Sequence, residues 1–296
     1  MRNQASSSHS NRIRVPLGER IFYIADDVLM VLLCIIILIP LINVVAGSFS
    51  NGEEYLTHQG LLLWPLSPNL DSYVEVIHNQ NIWIGYRNTL FIVTVGTFLN
   101  VVFTIIAAYV LSRKQYMLKR FFNLLVVFSM YFSGGMIPTY LVVKNVGLLK
   151  STWALIPPVL VNVFNLVIVR TAMTGVPDSL VESAELDGAG HLTILFRIIV
   201  PLIRSTIAVI CLYYAVAHWN SWFSASLYLP GTREKYPLQL MLREIIIQND
   251  TGEDNVFLSE TIQFATIVVA TLPILCVYPF IQKYFVKGVM VGAVKG

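Results

Sequence analysis

The chain has 296 residues, 56% of them hydrophobic and only 12% charged, with a mean hydropathy of +0.68. A soluble domain carries about 25% charged residues, so this composition excludes an ordinary soluble domain and places the chain in a bilayer. The net charge of +3 is too small to argue for nucleic acid. Cys34, Cys211 and Cys276 all fall inside apolar segments, without disulfide or metal-ligand spacing, and read as buried structural thiols.

Residues 1–20 are polar and basic, with Ser6-Ser7-Ser8, and read as a tail. Residues 24–49 form the first candidate span, broken only by Pro40 and Asn43. Basic residues before it and Ala46-Gly47-Ser48 after it raise the possibility of a signal peptide. Its apolar core exceeds a signal core of about 7–15 residues, so an uncleaved membrane helix is expected. Residues 51–86 are polar and rich in turn formers, with Trp64, Trp83 and Tyr86 suited to the membrane interface. The second span is 88–112, where Gly96, Asn100, Thr104 and Ala108 recur every fourth residue as a stripe for close helix packing. A basic turn follows at Arg113, Lys114, Lys119 and Arg120.

The third span, 121–143, is interrupted by Ser133-Gly134-Gly135 and Pro138. Such breaks are tolerated where a helix faces protein or water. The fourth, 152–169, is expected to kink at Pro157-Pro158 and carries Asn162 and Asn165. Residues 198–222 form the fifth span, ending in Tyr213, Tyr214, His218, Trp219 and Asn220. Residues 223–260 read as a long, protruding polar loop, 262–285 as the sixth span with Pro273 and Pro279, and 286–296 as a tail.

Between the fourth and fifth spans lies a polar, acidic stretch, 177–201. Pro177 suits a first helical turn. Asp178, Ser179 and Glu182 favour that end through capping and the helix dipole. Leu180, Ala184 and Gly188 share one face at four-residue spacing. Asp187-Gly188 ends the helix, and a second short helix runs over 190–197. The stretch is therefore a helix–turn–helix bracket at a membrane surface.

Six spans put both termini on one side. With both tails, the 113–120 turn and the bracket placed together, only Arg87, Lys144, Lys150, Arg233, Lys235 and Arg243 of the 20 Lys and Arg lie opposite. The positive-inside rule then makes the bracket and both termini cytoplasmic.

The bracket resembles the signature loop of ABC-importer permeases: Glu-Ala-Ala, three residues, Gly, nine residues, then Ile-x-Leu-Pro. Here the pattern falls on Glu182, Ser183, Ala184, Gly188, Ile198, Val200 and Pro201, with Ser183 and Val200 as the two departures. Asn88-Thr89, Ala107-Ala108-Tyr109, Leu111-Ser112-Arg113, Trp219-Asn220 and the endings 282–288 and 292–296 are similar to sugar-importer permeases of the smaller maltose type. The run 132–138, Phe-Ser-Gly-Gly-Met-Ile-Pro, is similar to the LplC/YtcP-type subgroup, associated with complex oligosaccharides or polysaccharides.

The resemblance implies an all-α fold of MetI-like type: six transmembrane helices over 21–285, with a cytoplasmic coupling bracket at 177–197. It implies import of an oligosaccharide delivered by an extracellular binding protein across a bacterial cytoplasmic membrane. It also implies a second permease subunit and two ATP-binding subunits that hold ATP and Mg. The ATPase-coupling residues would be Leu180, Glu182, Ser183, Ala184, Asp187 and Gly188. Glu182 would pair with a basic group, Leu180 and Ala184 would fill a cleft on the ATPase, and residues 288–296 would lie against the ATPases. The 223–260 loop would meet the binding protein.

The chain has no Gly-x-x-x-x-Gly-Lys-Ser/Thr of its own, in line with ATP hydrolysis by another subunit. It also lacks His-Glu-x-x-His and Gly-x-Ser-x-Gly, which leaves a membrane-embedded hydrolase without a nucleophile and base. His191 and His218 fall on opposite membrane sides, so no metal pair is expected. A permease for a non-sugar solute stays open on the bracket alone; the second-span and tail patterns favour sugar. The candidate substrate path is Asn162, Asn165, Tyr214, His218 and Trp222. The two Asn suit sugar hydroxyls or interhelical bonds. Tyr214, His218 and Trp222 share a helical face and suit stacking on a pyranose or an interfacial aromatic belt.

Overall fold

A computed structural model describes residues 16–113, 118–250 and 260–293. Their regular structure is helical. The first helix, α1 (Leu17–Ser48), starts inside the expected 1–20 tail. It is exposed along most of its length and packs only at its end, where Gly47 meets the Phe264 ring. Two short helices follow, α2 (Gly52–Thr57) and α3 (Asp71–His78), then the long α4 (Gln80–Ser112). The stripe on α4 packs inward as expected: Asn100, Thr104 and Ala108 are fully buried and Gly96 lies against His218.

The expected third span is two helices. α5 (Lys119–Tyr131) and α6 (Met136–Asn145) meet at 111°, with Gly135 at φ +89° in the corner. Thirteen residues of helix rise about 20 Å, short of the roughly 30 Å hydrocarbon core. The fourth is also modified. Pro157-Pro158 sits in a 3₁₀ turn rather than kinking a helix, and α7 (Val163–Thr174) leaves at 50°.

The bracket comprises α8 (Asp178–Leu186), α9 (His191–Thr193), a π-helical turn over Ile194–Ile199 and α10 (Val200–Leu202). An 88° bend at Ile203 leads into α11 (Arg204–Trp219). Beyond it lie α12 (Trp222–Tyr228), α13 (Leu238–Asp250) and α14 (Glu260–Ala293). Helices α1 and α4 are long and apolar enough to cross a membrane singly; three bent pairs do so if each pair is one span.

The 223–260 segment is not a protruding loop over its described part. Leu238, Leu240, Met241, Leu242 and Ile245 are buried, because α13 packs on α4 and α14. The Asn88-Thr89 pair holds it there. Asn88 Nδ2 donates to the carbonyls of Glu234 and Tyr236 (2.9 and 3.0 Å), and Thr89 Oγ1 accepts from Leu238 N (2.8 Å). Gly85 allows this approach: a Cβ there would lie 3.0 Å from Leu238 Cα. Residues 251–259 lie outside the described residues. The three cysteines are free and exposed rather than buried. A membrane helix directs apolar side chains outward as readily as inward, so an apolar neighbourhood in sequence does not imply burial. In the expected 286–296 tail, α14 continues to Ala293, and 294–296 lie outside the described residues.

Candidate functional site

Two constellations stand at opposite ends of α7 and α11. The first is the bracket. Pro177 is the N-cap of α8, and its ring has no group to cap the helix with. The other end closes as expected. Ala189 N donates to Ala184 O (2.9 Å) and Gly188 N to Glu185 O (3.0 Å), a Schellman turn. Gly188 takes φ +80°, with open space where a Cβ would point, so the demand for glycine is conformational rather than steric.

The inward face of α8 is Val181 and Ala184, buried against Ile194, Leu195 and Ile199. This corrects the placing of Ala184 beside Leu180 on one docking face: Ala184 is 8% exposed and packs within the chain, whereas Leu180 is 44% exposed. Glu182 and Leu186, four residues apart, share the outward face with Ser183 nearby, and Asp187 and Gly188 are exposed at its end. Leu186, at 89% exposed, is the most open large apolar side chain described, and Leu192 follows it across the turn at 69%. The expectation from sequence missed both; an apolar residue flanked by Glu185 and Asp187 was the available signal. One further contact joins the bracket to α4: Tyr109 OH lies 3.3 Å from His191 Nδ1, and the Arg113 guanidinium sits 4.6 Å from the Tyr109 ring centre.

The second constellation is a cleft of about 530 Å³ between α7, α11 and the start of α12. Asn162, Asn165, Tyr214 and His218 all line it, as do Phe164, Tyr213, Asn220, Ser221 and Ser224. No lining residue carries a formal carboxylate, Lys or Arg. Trp222 does not line it. The helix ends at Trp219 and restarts at Trp222, which rotates that indole away; it lies under the Arg243 guanidinium, 3.9 Å from the ring centre. Among the described residues, no three His, Cys, Asp or Glu are placed to hold a metal ion.

The cleft wall is built on the break in the chain before α7. Leaving the 3₁₀ turn over Pro157–Val159 frees backbone groups that a continuous helix would pair. Side chains from other helices take them up. Asn100 Nδ2 donates to Val159 O (2.6 Å), and Asn162 N donates to the Tyr214 hydroxyl (2.9 Å). That hydroxyl also bonds Thr104 Oγ1 (2.7 Å), and Asn162 Oδ1 caps α7 by accepting from Asn165 N (3.1 Å). His218 Nε2 bonds Asn100 Oδ1 (3.0 Å). The amides and hydroxyls remaining in the cleft suit a hydroxyl-rich ligand, and Phe164, Tyr213 and Phe223 offer apolar ring surface.

Residues 89–291 match the family described as "Binding-protein-dependent transport system inner membrane component". The chain is 40% identical over 288 residues to the polygalacturonan/rhamnogalacturonan transport system permease protein YtcP of Bacillus subtilis (strain 168), covering 95% of this chain and 100% of that protein. It is 41% identical over 268 residues to the protein LplC of the same organism, covering 88% and 90%. A crystal structure of a bacterial ABC transporter involved in the import of the acidic polysaccharide alginate contains a chain that superposes with a TM-score of 0.86 at 31% identity, covering 92% of this chain and 99% of that one. A second alginate transporter structure, in complex with a periplasmic protein bound to alginate pentasaccharide, shares the fold at a TM-score of 0.63 and 16% identity.

Proposed function

The chain belongs to the binding-protein-dependent transport system inner membrane components, and on that premise we propose that it is the permease subunit of an ATP-driven importer for an oligosaccharide or polysaccharide fragment. It is a membrane protein of a transport family. In this reading a second permease completes the pathway, an extracellular binding protein delivers the sugar, and two ATP-binding subunits hold ATP and Mg beneath the bracket. The bracket and both termini face the cytoplasm.

One observation carries the reading: bracket and cleft sit at the two ends of the same pair of helices. Both α7 and α11 run from the bracket to the cleft, and Tyr214 ties their far ends together through Asn162 N. A push on the exposed Glu182–Leu186 face therefore has a direct route to the cleft wall. Leu180, Ser183, Asp187 and the turn at Gly188 border that face; Ala184 seats it on the chain's own core. The relatives named above set the choice of sugar to test. Reconstitution with the partner permease, ATPases and binding protein in lipid vesicles should give ATP-dependent uptake of oligogalacturonides, rhamnogalacturonan fragments or alginate oligosaccharides. Uptake of none of these, with ATP hydrolysis driven instead by a non-sugar solute, would overturn the sugar assignment.

A further inference from the structure

We infer that Asn100, which does not line the cleft, is a positioning residue that sets which hydrogen-bonding group His218 offers inside it. The inference rests on the cleft being the sugar path. The Val159 carbonyl can only accept, so the Asn100 group 2.6 Å from it is the amide NH₂. That fixes the amide orientation and turns Oδ1 toward His218 Nε2, 3.0 Å away. An amide oxygen cannot donate, so Nε2 carries the proton. In the neutral ring Nδ1 is then left with the lone pair and is an acceptor. A sugar hydroxyl is the donor this matches. The backbone break at the start of α7 thus dictates, through one amide, the chemistry of a residue on α11.

Gly96 completes the device. A Cβ at this position would lie 2.5 Å from His218 Nε2 and under 3.0 Å from Cε1 and Cδ2, so the ring plane rests directly on the α4 backbone. Gly96 and Asn100 are one turn apart on α4, one setting the position of the ring and the other its tautomer. His218 is 3% exposed and Asn100 fully buried, so solvent does not compete for either bond.

The test uses the assembled transporter with ¹⁵N-labelled histidine in lipid vesicles, the His218 signal being assigned by its loss in His218→Gln. The wild type should show a single Nε2-protonated neutral ring. Asn100→Leu, or Gly96→Ala should the first variant not assemble, should give a mixture of tautomers. The KM for oligogalacturonide uptake should rise roughly two- to tenfold, one hydrogen bond's worth, and by more than kcat falls. An unchanged Nε2–H signal in both variants overturns the positioning role. A changed tautomer with an unchanged KM overturns the cleft as the sugar path.

Discussion

The bracket and the cleft occupy the two ends of α7 and α11, and they use polar residues in opposite ways. In the bracket, Glu182, Ser183 and Asp187 are exposed beside open leucines, while the buried face is wholly apolar. In and behind the cleft wall, Asn100, Thr104, Tyr214 and His218 are buried and bonded to one another or to freed backbone. On the proposed reading, the exposed charge and the exposed leucines together form the surface that meets the ATPase. A buried, bonded polar cluster is a surface built for geometry, because each lost partner strands a polar atom. The two ends should therefore fail differently: one in assembly, the other in stability and affinity.

The largest effect is expected at the bracket. Glu182→Lys should weaken ATPase docking by about 2–5 kcal/mol, the range for breaking one side of a paired charge at an interface. Membrane insertion should be unaffected, since Glu182 is exposed. Glu185→Lys is the neighbouring control, and co-purification of the ATPase reads both. If both variants assemble and transport like wild type, the docking role assigned to Glu182 is lost, and with it the contrast between the two ends.

A smaller loss is expected at the turn. Gly188→Val should cost about 1–3 kcal/mol, the range for backbone strain at a left-handed position. Gly188→Asn should retain most function, because Asn adopts that conformation more readily and the space around Gly188 is open. Equal damage from Val and Asn would point to steric contact with a partner instead of strain. ATPase co-purification alongside uptake separates the two.

An effect of similar size, but on stability instead of docking, belongs to the cleft. Tyr214→Phe keeps the ring but strands Asn162 N and Thr104 Oγ1, at a cost of about 1–3 kcal/mol for an unsatisfied buried group. The thermal midpoint of the assembled transporter should fall while ATPase co-purification stays intact. A loss of docking in Tyr214→Phe would break the separation of roles. The 238–247 segment is unsuited to a deletion test of binding-protein contact, since removing it would take Leu238, Met241 and Leu242 out of the core.

How much of this was legible differs by region. The limits of α8 follow from Pro177 and Gly188, because a missing N–H and a positive φ are local demands that a reader of the chain can apply. The inward face of α8 was not legible: Val181 with Ala184 and Leu180 with Ala184 are both apolar pairs at helical spacing, and only the approach of Ile194 and Ile199 selects the first. Trp222 shares a face with Tyr214 and His218 only on a continuous helix, and the helix stops at Asn220-Ser221. Asn100 was recognised as small enough for packing, but its bonds reach Val159 and His218, far away in the chain.

By itself the sequence determined the membrane class, the bracket and the packed stripe on α4, since each rests on composition or on spacing within a few residues; the family entered through the resemblance of its motifs. Tertiary structure alone decided that α5 and α6 meet at a corner, that α13 packs rather than protrudes, and that the cysteines face outward. The reason lies in the solvent. In a bilayer the lipid-facing and protein-facing sides of a helix are both apolar, so hydropathy does not tell them apart: α1 is almost bare, whereas α4, of similar length, is the centre of the packing. The distinction comes from where the few polar side chains find partners, and distant segments set those partners only once they have come together.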